Sequence, residues 1–131
     1  ELKAYRTHRH QVARALIVRI DGDNKGVEGR VRELAQACEN QKIDPRQEDE
    51  HVAIFVPTWN IETWIAYLER ARTGQNPQVD ETNPDYPSPQ PPKKCAPHVQ
   101  KLWEMCQSGA LVAPAPSSLE AACKEYHSRL P

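Results

Sequence analysis

At 131 residues the chain fits one small domain better than two, and with 38% hydrophobic and 6% aromatic residues its core must be thin. Charged residues reach 27%, near the ordinary soluble value, which argues against wholesale disorder, and a formal net charge of -1 gives no global electrostatic pull toward nucleic acid or an anionic membrane. No apolar run approaches the roughly 20 residues that cross a bilayer, so no membrane partner and a cytoplasmic location are expected. No secretory leader is legible, and a chain that opens at Glu1 rather than at methionine leaves room for an upstream segment.

Taken in chain order, residues 2–12 form a predicted helix with Leu2, Tyr5 and Val12 on one side. Its basic residues, Arg6, His8, Arg9, His10 and Arg14, are either phosphate contacts or the charges of a solvated helix face. The run from Ala15 to Ile20 is short, apolar and β-branched, as expected for a strand covered on both faces in a parallel sheet. Asp21-Gly22-Asp23-Asn24 ends it as a turn, after which Val27, Val31, Leu34 and Cys38 recur at helical spacing up to about Asn40. An acidic connector holding Glu48, Asp49 and Glu50 leads to a second strand, Val52 to Val56, stopped by Pro57. Ile61, Trp64, Ile65 and Leu68 then mark an amphipathic helix with Asn60 at its N-cap. Residues 1–71 therefore read as a β-α-β-α unit with an N-terminal helix.

Residues 72–98 carry seven prolines among few apolar residues and read as an extended, exposed loop. Residues 99–131 read as a helical pair. Val99, Leu102, Trp103 and Cys106 line one helix; Leu119, Ala122, Cys123 and Leu130 line the other, which opens on a Ser117-x-x-Glu120 capping box. The four cysteines show no C-x-x-C pair, so reduced thiols acting as small hydrophobes are expected, and a zinc site built on Cys95, His98 and Cys106 lacks clear ligands. The fold class is α/β, a partial parallel sheet flanked by helices with a C-terminal helical extension. Two strands are too few for a stable three-layer domain, so an upstream segment, a protein partner or a homo-oligomer is expected to complete the sheet.

The chemistry concentrates where the first strand ends, the edge at which open parallel sheets place their ligand sites. Gly22, lacking a Cβ, lets the backbone turn so that Asp21 and Asp23 converge on one point. Two close carboxylates repel, and Mg²⁺ or Mn²⁺ relieves that repulsion while binding a phosphate oxygen or activating water. A plain turn, with Asp23 or Asn24 capping the next helix, explains the same residues structurally. Glu62, in the first turn of the helix after strand two, is a candidate third carboxylate beside the metal or a favourable charge on the helix dipole. Lys25 and Arg30 are candidate neutralisers of a bound phosphate. Trp59 and Trp64 are candidates for base stacking, although the spacing of Trp64 with Ile61 and Leu68 assigns it to the core.

A haloacid-dehalogenase-type phosphatase calls for Thr or Val where Lys25 stands, and a phosphate-accepting receiver calls for an acidic pair on an earlier strand. The run from Ala15 to Asp23, ALIVRIDGD, instead resembles the hydrophobic strand and D-x-D of Toprim domains. The run from Val52 to Trp64, VAIFVPTWNIETW, resembles the strand and Glu-x-Trp of uncharacterised Toprim-like families, several of them associated with phage defence. Together these cover about residues 14–70. The resemblance implies that Asp21 and Asp23 hold Mg²⁺ or Mn²⁺ during phosphodiester chemistry on DNA or RNA, as in a nuclease. The further glutamate that Toprim enzymes take from an earlier strand has no counterpart before Ala15. The competing expectation is a catalytically silent interaction module completed by a partner.

Overall fold

β-branched and leucine side chains set the two strands, and the structure, a computed structural model describing residues 1–10, 15–59, 61–81 and 96–130, trims the first predicted run by one residue at each end and the second by its last residue. The described elements follow the order α1 (Leu2–His8), β1 (Leu16–Arg19), α2 (Gly26–Asn40), β2 (Val52–Phe55), α3 (Ile61–Thr73), α4 (Ala96–Ser108) and α5 (Ser117–Arg129). The chain is thus α/β, with five helices flanking a parallel two-stranded sheet among the described residues, in the register Leu16↔Val52 through Arg19↔Phe55. The expected N-cap Asn60, the core residue Val12 and the basic residue Arg14 lie outside the described residues, as do Cys95 and most of the proline-rich segment.

The two strands have unlike edges. Leu16 and Ile20 donate to His51 O and Phe55 O at 2.8 and 3.1 Å, so alternation turns the peptide groups of Val52 and Ile54 away from β1. Two of those outward groups are met by side chains. Arg46 Nη1 donates to Val52 O at 2.9 Å, and Ile54 N–H donates to Glu125 Oε2 at 3.1 Å. On the opposite edge, Ile17 and Arg19 turn their peptide groups outward, and no backbone group among the described residues bonds to them.

The helical pair expected as an appendage is part of the core. Trp64, Tyr67 and Leu68 of α3 pack with Met105 of α4 and with Leu119 and Ala122 of α5. Trp64 Nε1 donates to the buried Ser118 Oγ at 2.8 Å, which anchors α3 on the first turn of α5. Shared burial among three helices compensates for the small sheet, because apolar area removed from water stabilises wherever it is assembled. Of the expected α4 lining, Val99 and Trp103 are exposed, at 63% and 49%, and Met105 takes the inner position instead. Along α2 the apolar stripe is only half-buried, with no residue fully covered.

Three local expectations are corrected. The Ser117-Glu120 capping box does not form: Ser117 is already inside α5, and the Glu81 carboxylate accepts from Ser117 Oγ, Ser118 Oγ and Ser118 N–H. Neither Asp23 nor Asn24 caps α2, whose N-cap is Lys25 without a side-chain bond. The thiols of Cys106 and Cys123 are not reduced; they form a disulfide between α4 and α5, which also removes Cys106 from any zinc site. Cys38 stays free and half-buried. No described helix is long and apolar enough to cross a membrane.

Candidate functional site

Parallel pairing brings the exits of β1 and β2 to one edge of the sheet, and the sequence there stitches them together. Gly22 N–H donates to Pro57 O at 2.7 Å, and Asp23 bridges Trp59 in antiparallel fashion. A Cβ on Gly22 would lie 2.9 Å from Pro57 O, so the close approach requires glycine. Asp23 and Trp59 both adopt left-handed backbone, with φ of 45° and 61°. Aspartate tolerates this region through its short polar side chain, whereas for tryptophan it is a strained conformation held by its surroundings.

The two aspartates meet different environments. Asp21 has a side chain 38% exposed overall, yet its Oδ1 is buried with no hydrogen-bond donor, and Arg19 Nη1 stands 3.5 Å away. Asp23 Oδ2 accepts from Arg30 Nη2, while Arg30 Nε donates to Asp21 O at 2.8 Å. One guanidinium therefore ties both aspartate positions to α2. Arg30 also pairs with Glu33 at 2.6 Å, and Lys25 reaches the same carboxylate at 2.8 Å. Hydrogen bonds from Lys25 and Arg30 hold the Glu33 carboxyl below the usual glutamate range. The two cations expected to face a phosphate are thus engaged by carboxylates.

Glu62 sits in the first turn of α3, as expected, and is half-buried. Among the described residues no three His, Cys, Asp or Glu side chains gather as a metal-holding group, so Glu62 does not join Asp21 and Asp23 in one. Trp64 is a core residue at 3% exposure, which leaves Trp59, half-buried beside Asp23, as the tryptophan at this edge.

The basic N-terminal face is also spoken for. Arg6 grips Glu50 through Nε at 2.6 Å and Nη2 at 3.0 Å, and Arg9 approaches the same carboxylate at 3.4 Å. Glu50 is 2% exposed, and a buried carboxylate demands such partners. Comparison with known proteins adds no relative: no protein-family model, no curated protein and no solved structure matches the chain.

Proposed function

We propose that Asp21 and Asp23 are the carboxylate half of a divalent-metal site, for Mg²⁺ or Mn²⁺, in a Toprim-like domain that acts on nucleic-acid phosphodiesters in the manner of a nuclease. The observation that carries this reading is Asp21 Oδ1, a buried carboxylate oxygen that accepts no hydrogen bond and has the Arg19 guanidinium 3.5 Å away as its counter-charge. Leaving a buried acceptor without a hydrogen bond costs on the order of 1–3 kcal/mol, of which the Arg19 charge offsets a part and a hard cation would relieve the rest. The donor set fits that group, since both aspartates stand at the exit of a parallel strand, one of them with an oxygen that accepts no hydrogen bond.

The chain's own residues supply the frame. Arg30 offsets the charge of Asp23 and fixes the Asp21 carbonyl, which ties the backbone of the turn to α2. The left-handed Trp59 and Asp23 backbones clamp that turn to the β2 exit, and strain of the kind Trp59 holds concentrates at working sites. Bound there, a divalent cation would polarise a phosphate oxygen and stabilise its developing charge.

The test is Mn²⁺ binding, read by paramagnetic relaxation and calorimetry, for the parent chain and for Asp21→Asn with Asp23→Asn. Binding that disappears in the double variant supports the reading, and Mg²⁺-dependent cutting of single-stranded and duplex substrates should disappear with it. A folded parent that binds no Mn²⁺ reduces Asp-Gly-Asp to a structural turn.

A further inference from the structure

We infer that the space between α2 and the sheet is a binding site for a neutral apolar small molecule of roughly ten carbons, the size that its volume admits. The metal reading plays no part in this. Leu16 and Val18 alternate onto one face of β1, and the register sets Val52 and Ile54 beside them on β2. α2 lies over that face, yet none of its residues is fully buried. Between helix and sheet is a cavity of about 280 Å³, lined on the α2 side by Val31, Leu34 and Cys38. Leu2 of α1 adds a further wall.

The walls set the chemistry of the occupant. Apart from Glu1 and Arg46, every lining residue is apolar. Water settles in a cavity only where several polar groups can hold it, and aliphatic walls do not. Arg46 is the one cationic side chain on the lining. Its guanidinium already serves Glu125 Oε1 and Val52 O, each at 2.9 Å, so it has no charge to spare for an anionic ligand. Size follows from volume: an apolar cavity of about 150 Å³ takes one benzene ring, so nearly twice that space takes two fused rings or a chain of roughly ten carbons. Aliphatic walls without partner atoms lose dispersion contacts, and a small domain has little stability to lose. A molecule that matches the cavity restores those contacts and covers the half-buried stripe of α2. Small-molecule sites are ordinarily built this way, largely apolar and enclosed between elements of the fold.

Naphthalene, two fused rings without charge, is the probe, and NMR titration of the full chain measures its binding. The expected dissociation constant is about 100 μM, an ordinary efficiency for a ligand of so few atoms. Methyl signals of Val18, Val31, Leu34 and Ile54 should shift. Cys38, a free thiol on the same lining, gives a second readout. With naphthalene at twice its dissociation constant, alkylation of Cys38 by N-ethylmaleimide should slow about threefold, in proportion to the sites left open. Ala35→Phe puts a ring into the cavity and should weaken binding at least about tenfold with circular dichroism unchanged. Parent chain already alkylated at Cys38 fills the same space without a substitution and should also refuse naphthalene, which keeps the test decisive if Ala35→Phe does not fold. A folded parent that binds no naphthalene overturns the inference. So does binding that leaves Cys38 alkylation unchanged, shifts confined to residues away from the cavity, or equal affinity in the parent, the alkylated parent and Ala35→Phe.

Discussion

Arg46 and Glu125, 79 residues apart in sequence, join through Nη2 and Oε1 at 2.9 Å and together stand in for a third strand along the outer edge of β2. Each also reaches one outward peptide group of that strand, Val52 O for Arg46 and Ile54 N–H for Glu125. Glu125→Ala strands both the guanidinium and the Ile54 N–H, and the expected loss is about 1.5–3 kcal/mol in urea unfolding, the range for hydrogen bonds to charged groups. Glu125→Gln keeps an acceptor for Ile54 and should lose less. Combining Arg46→Met with Glu125→Leu should not restore the parent value, because the Val52 carbonyl and Ile54 N–H would remain unpaired. Full recovery in that double variant would reduce the pair to an ordinary surface ion pair.

Acid should weaken the fold through two glutamates. The Glu50 carboxyl is held below its usual range, first by the Arg6 hydrogen bond, against the opposing effect of burial. For Glu125, burial pushes upward most strongly, yet the Arg46 and Ile54 hydrogen bonds and the nearby positive charges leave it lowered. A folded-state pKa below the unfolded value gives stability that is complete above the ordinary carboxylate value of 4.5 and declines as pH falls through the folded values. Urea midpoints should therefore be level near neutrality and drop below about pH 4.5. Glu50→Gln should lower the plateau and flatten part of that decline; an unchanged acid limb would separate Glu50 from it.

The Cys106–Cys123 disulfide closes a loop with a sequence separation of 17 between α4 and α5. Loop closure of that length is worth about 3 kcal/mol through the unfolded chain. Cys106→Ala with Cys123→Ala should lower unfolding stability by roughly that amount, after allowance for lost side-chain packing. Alkylation without reductant should modify Cys38 and leave the peptides holding Cys106 and Cys123 unmodified. Alkylation of either would show the bond to be absent.

Local pattern made both strands, α2 and α3 legible, because an apolar β-branched run and a helical stripe announce themselves within a few residues. The position of Asp21 and Asp23 at the β1 exit was legible for the same reason. Their partner was not: the carboxylate of Asp23 is aimed by a left-handed backbone, and that sets it against Arg30 rather than over the helix N-terminus. The burial of Glu50 and the closure of β2 by Glu125 depend on residues 44 and 79 positions away, for which sequence holds no local signal. Cysteines on the apolar faces of two helices look alike whether they pack as thiols or bond to each other, so the disulfide emerged only from helix pairing.

Gly22 offers the sharpest test of whether the β1 exit is shaped for its carboxylates. An added Cβ would meet Pro57 O at 2.9 Å and the Thr58 Cα at 3.4 Å, both backbone atoms that cannot swing aside. The strand exits must then part, which breaks the 2.7 Å bond from Gly22 N–H to Pro57 O and loosens the bridge between Asp23 and Trp59. Gly22→Ala should cost about 1–3 kcal/mol, the usual penalty for a forced backbone shift. It should also alter Trp59 fluorescence and weaken Mn²⁺ binding while both aspartates remain. Asn24→Ala, at an exposed position of the same turn, should leave stability within about 0.5 kcal/mol and binding unchanged. If Gly22→Ala destabilises the fold but binds Mn²⁺ as tightly as the parent, the close approach of the strands serves stability alone, and the aspartates need no help from it.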